Sequence, residues 1–348
     1  MKRRLNALLI GTGMVAGTHV AALADARNAR LFGVLGRDIE KTKAFAKKAT
    51  AQVRNPVHAY SNLSDALATK EVDFAIVATP PNARHAIAGQ LVANSTPILL
   101  EKPIERTADA ARAIVEMCKS AHVPLGVVFQ HRARVASQVL KTVLDEERLG
   151  TICAAEVRVP WWRPQSYYDE PGRGTYDRDG GGVMINQAIH TLDILLWLLG
   201  PISRLQAQMQ RTKLHDLQAE DWATALFETQ AGCVGSLMAT TSAHPGQTES
   251  IALFGTKGSA HLAAGQAHLC FLTGDTQTFG DEASTGGGSD PMAFTHAWHQ
   301  TIIENFADCV LGHGPQLASG ESALRAHAVI AAMEAANRAA RWTEVETE

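Results

Sequence analysis

The sequence lacks the features that mark membrane proteins and nucleic-acid-binding proteins. Its 348 residues contain no long apolar segment free of glycine and charge, so we expect no membrane-spanning helix. The 32 lysines and arginines are outnumbered by 35 acidic residues, which gives a formal net charge of −3 and leaves no basic excess for binding nucleic acid. Small molecules remain the expected ligands.

Cysteine is scarce and scattered. The five cysteines are odd in number and include no C-x-x-C pair, which argues against a disulfide framework and against a zinc site. We therefore expect no metal and a reducing, cytoplasmic location. The basic start Met1–Arg4 imitates a secretion signal, but the apolar run that follows is only about six residues long, short of the roughly 7 to 15 of a signal core.

What the chain does have is enough length for two domains, with a strand-turn-helix signature at the start of the first. The apolar strand Leu5 to Ile10 runs into a G-x-G-x-x-A pattern and then into a helix. In this pattern the first glycine permits a tight turn, the second lets a pyrophosphate approach the backbone, and the small alanine allows close helix-to-strand packing. The sequence therefore predicts a dinucleotide-binding turn made by Gly11, Thr12, Gly13, Met14 and Val15.

The end of the second strand indicates which dinucleotide is preferred. An NAD site usually has an acidic residue here to accept from the ribose 2′-hydroxyl, but this strand ends in Gly36, and Arg37 and Asp38 follow. A small residue followed by an arginine leaves room and charge for a 2′-phosphate, so we favour NADP over NAD. Two alternatives stay open: Asp38 can serve NAD, and Arg37 can cover the adenine face.

Two further strands of the N-terminal half end in polar turns. One stops at Thr79-Pro80-Pro81-Asn82, and the next runs into Glu101-Lys102-Pro103. Because the carboxyl ends of the strands in a doubly wound sheet face the ligand crevice, we expect Thr79, Pro80, Asn82, Glu101 and Lys102 to lie near the cofactor. The ammonium of Lys102 can hydrogen-bond a substrate hydroxyl and favour its alkoxide as hydride leaves.

The pattern changes near residue 125. A helix is predicted from Gln130 to Leu149, and the longer strands that follow are not separated by helices. The predicted strands are 152–162, 204–211, 221–229, 234–242, 249–254, 259–263 and 267–272. The sequence thus predicts a Rossmann domain with a doubly wound parallel sheet over residues 1–125, then an α+β domain with a large, open, mainly antiparallel sheet over 126–348.

Three glycines, Gly180 to Gly182, precede a strongly apolar helix that carries Asn186, His190 and Asp193. This spacing of i, i+4 and i+7 puts three polar groups on one helix face. Burying them costs on the order of 1 to 3 kcal/mol each unless they are partnered, which suggests either a polar-lined pocket or a satisfied core network.

The loop that precedes the glycines is rich in aromatic and arginine side chains, which suit stacking on a sugar face and binding its hydroxyls. Such side chains can also simply anchor a long loop. The substrate-binding candidates of this loop are Trp162, Arg163, Tyr168 and Arg173.

Taken together, these motifs resemble the superfamily of glucose-fructose oxidoreductase, inositol dehydrogenase and rhizopine catabolism proteins, written Gfo/Idh/MocA. The resemblance covers nearly the whole chain and rests on four ordered motifs: Gly11–Ala16, Ala78–Asn82, Glu101–Pro103, and Gly180–Asp193. It implies a Rossmann domain followed by an open-sheet domain that covers the nicotinamide and forms a homodimer or homotetramer.

The resemblance also implies catalytic roles. The family's active site carries the lysine of Glu-Lys-Pro and an aspartate and histidine four residues apart; Lys102 and His190 match, whereas Asn186 replaces the aspartate. An amide can orient a hydroxyl but cannot take a proton, so the resemblance implies that His190 is the general base, helped by Lys102. Asp193 is placed to orient the imidazole or to bond to backbone, and both alternatives stay open.

Further resemblance, in Tyr167-Tyr168, Arg173-Gly174-Thr175 and Asn186-Gln187, is to the branch that acts on hexose derivatives, including glycoside 3-dehydrogenases. It implies oxidation of a ring secondary alcohol of a sugar, at C3 in that branch, to a ketone by hydride transfer to the nicotinamide. The alternatives are a glycosidase of the same superfamily that recycles a bound NAD, and a non-catalytic dinucleotide-binding regulatory protein.

Overall fold

The computed structural model describes residues 3–283 and 286–346, so Met1 and Lys2 of the basic start lie outside the described residues. The chain divides into two compact units. The first contains the chain up to Glu105, Asp109–Ala133 and His296–Ala323. The second contains Arg106–Ala108, Arg134–Thr295 and the chain from Leu324 onward.

Strands and helices alternate through the N-terminal part. The elements in order are β1 (Leu5–Ile10), α1 (Ala16–Asp25), β2 (Ala29–Leu35), α2 (Ile39–Val53), β3 (His58–Tyr60), α3 (Leu63–Ala68), β4 (Phe74–Val77), α4 (Arg84–Ala93), β5 (Ile98–Leu100), α5 (Ala108–Ser120) and β6 (Leu125–Val127).

Longer strands dominate the remainder. The elements in order are α6 (Val135–Asp145), β7 (Ile152–Pro160), α7 (Gln165–Tyr168), α8 (Ile189–Leu199), β8 (Ile202–Gln210), β9 (Trp222–Thr229), β10 (Val234–Thr240), β11 (Ser250–Gly255), β12 (Gly258–Ala263), β13 (Gln266–Phe271), β14 (Thr276–Phe279), α9 (Ala297–Val310), α10 (Gly320–Ala339) and β15 (Thr343–Glu344).

The first unit is built on a parallel sheet of six strands in the order β3-β2-β1-β4-β5-β6. This is the doubly wound order in which the strand sequence reverses between β1 and β4, and ligands of such sheets bind beyond the carboxyl ends at that point. Every residue of β1 and β4 is buried, as expected for strands covered on both faces. The predicted Rossmann fold is confirmed.

The second unit is built on a mixed sheet of nine strands in the order β14-β13-β12-β11-β7-β10-β9-β8-β15. The β7–β10 pair is parallel, and the other seven pairs are antiparallel. Burial alternates along β9, so one face of the sheet packs on a core and the other lies open. The predicted large, mainly antiparallel sheet is confirmed.

The units differ from the predicted ranges 1–125 and 126–348, and the short segment Arg106–Ala108 belongs to the second unit. The strand β6 pairs with β5 as the edge of the six-stranded sheet, so the first unit extends to Ala133. Helix α9 also belongs to the first unit, because Ile302, Ile303 and Phe306 join its apolar core and the ring of Phe306 lies 5.7 Å from that of Phe74. The chain therefore returns to the first unit after completing most of the second.

The helix predicted from Gln130 to Leu149 is interrupted. A short 3-10 turn covers Gln130–Ala133, Arg134 is extended with ψ of 134°, and α6 then runs over Val135–Asp145. Among the described residues, no helix combines the length and apolar character that crossing a bilayer requires. The five cysteines, all within the described residues, are free thiols.

Candidate active site

The glycine turn between β1 and α1 has the geometry of a dinucleotide-binding turn. Gly11 has a φ of +109°, and a Cβ there would lie 2.7 Å from the Ala78 carbonyl oxygen, so only glycine fits without strain. A Cβ on Gly13 would meet nothing within 4 Å, and Met14 is 51% exposed. Ala16 is fully buried at the start of α1, as close helix-to-strand packing requires. The residues present therefore fit a pyrophosphate at the amino end of α1.

Asp38, which follows the end of β2, has a structural role. Its Oδ1 accepts hydrogen bonds from the backbone N–H groups of Glu40 and Lys41, both at 3.1 Å, and so caps α2. Arg37 is exposed beside it. Both residues lie at the carboxyl end of the second strand of the sheet, the position from which the adenosine ribose is read.

The turn after β4 presents exposed groups at the same end of the sheet. Pro80 and Asn82 are exposed, and a 3-10 turn over Pro81–Ala83 leads into α4. The hydroxyl of Thr79 is buried without a hydrogen-bond partner. This turn packs against the glycine turn, because the Ala78 carbonyl lies directly beside Gly11.

Lys102 follows a carboxylate that two buried histidines surround. The Nε2 atom of His19 lies 2.9 Å from Oε1 of Glu101, and Nε2 of His299 lies 3.8 Å from it. Burial alone would raise the pKa of Glu101, but the hydrogen bond with His19 and neighbouring positive charge outweigh it and lower the pKa to about 2. Burial lowers the pKa of His299 to about 3, so its imidazole is neutral at neutral pH.

These three side chains could also hold a metal ion, because their donor atoms all lie within 4.8 Å of one another. Two imidazoles and one carboxylate are a common ligand set for transition metals. The 2.9 Å separation of His19 and Glu101 is already that of a direct hydrogen bond, which accounts for this pair without a cation. The sequence did not single out His19 or His299, and no motif or spacing marked them.

The glycine run in the second unit is required by the backbone around Glu220. A Cβ on Gly182 would lie 1.7 Å from the Glu220 carbonyl oxygen, so a side chain is excluded there. The Glu220 carboxylate accepts from the backbone N–H groups of Gly182 and Met184, each at 3.1 Å, at the start of the helical segment. Burial raises the pKa of Glu220 to about 7 despite these hydrogen bonds. Sequence reasoning missed Glu220.

The helical segment that carries the polar stripe is not a single α-helix. A π-helical turn covers Met184–Ala188, and α8 begins only at Ile189. The i, i+4 relation between Asn186 and His190 therefore crosses the change of helix type, and the prediction of one continuous α-helical face is wrong for this pair. His190 and Asp193 both lie in α8, three residues apart on the same face. Turns of π-helix are rare and occur frequently at functional sites.

Two polar residues of this segment, His190 and Asp193, are buried within the second unit, and Asn186 is half-buried. His190 is 5% exposed and Asp193 is 1% exposed. The side-chain amide of Asn186 donates to the carbonyl oxygens of Gly181 and Gly182, at 2.8 and 3.0 Å. Asn186 thus helps to hold the glycine run in place.

Arg163, a substrate-binding candidate of the aromatic loop, is buried and bound to the protein's own backbone. Arg163 is 2% exposed, and its guanidinium donates to backbone carbonyls of the protein itself, those of Trp162, Gly286 and Gly288. Those contacts occupy both terminal nitrogens of Arg163, which therefore anchors the loop.

The other aromatic and arginine candidates of the loop also contact protein groups. The hydroxyl of Tyr168 lies 2.6 Å from Oγ1 of Thr241, and burial raises the pKa of this phenol. The guanidinium of Arg173 lies over the Tyr167 ring, 4.4 Å from its centroid, and donates to the Tyr167 hydroxyl at 2.9 Å. Trp162 is partly exposed.

Family models match both halves of the chain. A model described as "Oxidoreductase family, NAD-binding Rossmann fold" matches residues 5–129, and a GFO/IDH/MocA C-terminal domain model matches residues 137–261. Together the two matched ranges cover well over half of the chain. The chain also resembles D-apiose dehydrogenase of Rhizobium rhizogenes, with 25% identity over 345 residues, 94% of each chain.

Two other similar proteins extend these findings. Inositol 2-dehydrogenase of Rhizobium meliloti is 23% identical over 297 residues, 79% of this chain and 85% of the relative. The WlbA dehydrogenase of Bordetella pertussis, solved with NADH and UDP-GlcNAcA, superposes with a TM-score of 0.81 at 25% identity, covering 99% of this chain and all of that one. With both domain models matched in order, the chain belongs to the Gfo/Idh/MocA family of oxidoreductases with an NAD-binding Rossmann domain.

Proposed function

We propose that the protein is an NAD(P)-dependent dehydrogenase that oxidises a ring secondary alcohol of a sugar or sugar derivative to a ketone. The observation that carries the proposal is the combination of a glycine turn open for a pyrophosphate with Lys102 at the carboxyl end of β5 in the same unit. The relatives named above act on apiose and inositol, and one is solved with a nucleotide sugar and NADH. We propose C3 as the first carbon to test.

We assign the residues the following roles. A dinucleotide held at the glycine turn would supply the acceptor for the hydride that leaves the carbinol carbon. Lys102 stabilises the oxygen as it becomes an oxyanion, and the imidazole of His190 accepts the hydroxyl proton. The proposed dinucleotide contacts are Gly11, Thr12, Gly13, Met14, Val15, Arg37, Thr79, Pro80, Asn82, Glu101 and Lys102. The proposed substrate contacts are Trp162, Tyr168, Arg173, Asn186 and Asp193. Arg163 is left out because carbonyls of the protein occupy its guanidinium.

We further propose NADP as the preferred dinucleotide. The support is local: Asp38 uses its Oδ1 atom to cap α2, and Arg37 is exposed beside it. The similar WlbA dehydrogenase was solved with NADH, which favours the opposite choice. Comparing kcat/KM for NADP and NAD with the same sugar decides between them.

The role of Lys102 is tested by Lys102→Ala across a panel of sugars and polyols with each dinucleotide. We expect binding of the dinucleotide to be retained while turnover falls by a factor of roughly 100 or more, because the developing oxyanion loses its stabilising cation. Lys48→Ala, which removes an exposed lysine of α2, is the control and should leave turnover unchanged. Near-normal turnover in Lys102→Ala would exclude the role.

We propose a homodimer or homotetramer that forms through the open face of the nine-stranded sheet, and a cytoplasmic location. The open face carries Leu226, Val234 and Phe254, which are 55%, 54% and 47% exposed in the single chain. Apolar side chains of this size on the solvent face of a sheet favour burial against another protein surface. Free cysteines fit a reducing compartment.

A further inference from the structure

Arg84 is a buried arginine that binds the backbone on both sides of Lys102. It is 3% exposed, and its guanidinium donates to the carbonyl oxygens of Glu101 and Pro103, the residues directly before and after the lysine. The same guanidinium donates to the Thr79 carbonyl oxygen, from Nε at 3.0 Å and from Nη2 at 2.7 Å. One side chain therefore joins the turn after β4 to the segment after β5.

A second set of contacts fixes the same segment from its other side. The Oε2 atom of Glu101 accepts from the backbone N–H of Lys102 at 3.2 Å, while Oε1 of the same carboxylate lies 2.9 Å from Nε2 of His19. His19 lies in the first turn of α1, directly after the dinucleotide turn. The main chain around Lys102 is thus held through the lysine's own N–H and through the carbonyl groups of its two neighbours, Glu101 and Pro103.

Burying the charged guanidinium of Arg84 costs free energy, which its hydrogen bonds to backbone carbonyls must offset. Burial lowers the pKa of Arg84 to about 10, and the charges of Glu101 and Glu105 oppose that shift only in part. A guanidinium offers five donors in a planar fork, which lets it bridge three carbonyl oxygens that diverge from one point. A lysine ammonium is a compact point charge on a flexible stem and cannot span all three.

We propose that Arg84 is a positioning residue for Lys102, holding the lysine's main chain so that its ammonium is presented at a fixed place at the carboxyl end of β5. The proposal rests on the function assigned above, in which Lys102 acts on the substrate oxygen. It assigns Arg84 no contact with substrate or dinucleotide. Loss of Arg84 should therefore lower the rate of the chemical step and leave dinucleotide binding nearly intact, since a displaced catalytic group costs rate even when the ligand still binds.

The test compares Arg84→Met and Arg84→Lys with a matched control, Arg4→Met. Arg4 also donates to backbone carbonyls of the first unit, those of Ala26 and Ala29 at 2.8 to 3.0 Å, but at the opposite end of β1. We expect kcat to fall on the order of 10- to 100-fold in Arg84→Met, with dinucleotide Kd within about threefold of wild type, and the primary deuterium isotope effect to rise. Arg84→Lys should recover only part of kcat, and in a further variant, Arg84→Ala, added guanidinium ion should raise kcat. Arg4→Met should leave kcat and the isotope effect unchanged.

A readout that needs no turnover separates this proposal from the proposed function. Reductive methylation with ¹³C-formaldehyde labels lysines, and the Lys102 signal is identified by its loss in Lys102→Arg. In Arg84→Met or Arg84→Lys we expect that signal to sharpen and move toward the signals of exposed lysines, whereas Arg4→Met leaves it in place. A Lys102 signal unchanged in a folded Arg84 variant overturns the positioning role. Normal turnover in Lys102→Ala would instead overturn the proposed function, whatever the label shows.

Discussion

Single residues decide whether the glycine turn can accept a dinucleotide, and Gly13 offers the cleanest test. A Cβ at Gly13 meets no protein atom within 4 Å, and its φ lies outside the left-handed region, so Gly13→Ala should fold normally. The added methyl would occupy the space through which a pyrophosphate approaches the backbone. We expect the dinucleotide Kd to rise at least about tenfold while the Tm stays near that of wild type, measured by titration calorimetry and thermal unfolding.

Gly89→Ala is the matched control for Gly13→Ala. Gly89 lies inside α4, and its added Cβ would make only an ordinary contact, 3.9 Å from the sulfur of Met117. Because alanine is a better helix former than glycine, we expect a gain of about 0.5 to 1 kcal/mol in stability and unchanged dinucleotide binding. Unchanged Kd in Gly13→Ala would contradict the placement of the pyrophosphate at this turn.

At this scale, the residues that the sequence predicts are those whose role is set by their neighbours in the chain. The Gly11 turn could be predicted because strand, glycines and helix follow one another directly. Arg84, His19 and Glu220 could not, because each acts through groups distant in sequence, such as the Glu101 carbonyl or the Gly182 backbone. The role of Asp38 was not predicted either: the sequence left it open as a ribose-binding acid two residues beyond the strand end, and the structure shows that it caps its own helix.

At the scale of elements, seven of the nine strands of the second unit, β7 to β13, were predicted to within two residues of their ends because their alternation of polar and apolar residues is regular. The short edge strands β14 and β15 were not predicted. The helix after the glycine run was predicted as an element but not in its internal form. The π-helical turn at Met184–Ala188 has no periodicity signal of its own. The Glu220 carboxylate, which accepts from the backbone N–H groups at the start of this turn, comes from a loop that follows β8 and is more than 30 residues later in the chain. Such a cap is visible only in three dimensions.

The cap made by Glu220 predicts a dependence of stability on pH. Its pKa in the folded protein is raised from 4.5 to about 7, so the folded state holds this proton more tightly than the unfolded state. The stabilisation that results is fully present below about pH 4.5 and is lost as the pH rises through about 7, by on the order of 3 kcal/mol. We therefore expect the Tm of wild type, minus that of Glu220→Gln, to decrease between pH 5 and pH 8.

Two outcomes separate the Glu220 effect from general electrostatics. Glu146→Gln, at an exposed position directly after α6, should give a Tm difference from wild type that hardly changes over the same interval. A difference between wild type and Glu220→Gln that stays constant from pH 5 to pH 8 would show that Glu220 has the same pKa in the folded and unfolded states.

At the scale of the whole molecule, the return of the chain to its first unit is the feature that the sequence did not predict. The regular spacing of alanine and leucine in the last helices predicts packing, but it carries no information on which sheet they cover. Helix α9 packs with the first unit through Phe306, whose ring also fills the space beside Gly126 of β6. A Cβ on Gly126 would lie 2.7 Å from that ring, so the two positions fit each other in a way that only the fold reveals.

The open face of the nine-stranded sheet is the surface on which the proposed assembly can be tested. The pairing register puts Leu226 beside Ser236, and Val234, Ala154 and Phe254 in one row on the same face of β10, β7 and β11. Burying Leu226 against a second copy of the chain would contribute about 1.5 to 3 kcal/mol on each side, and a charge there would have to be desolvated.

Leu226→Glu should therefore convert the assembly to a monomer, or to a smaller oligomer, as measured by light scattering across a dilution series. The control is Leu214→Glu, which places the same charge on a leucine that is 50% exposed in the loop between β8 and β9, outside the sheet. That variant should keep the mass of wild type. If wild type is itself a monomer at every concentration, or if Leu226→Glu keeps its mass, the open face is not the interface between copies. A monomeric Leu226→Glu that retains its Tm would show that each chain folds alone and that assembly follows from this surface.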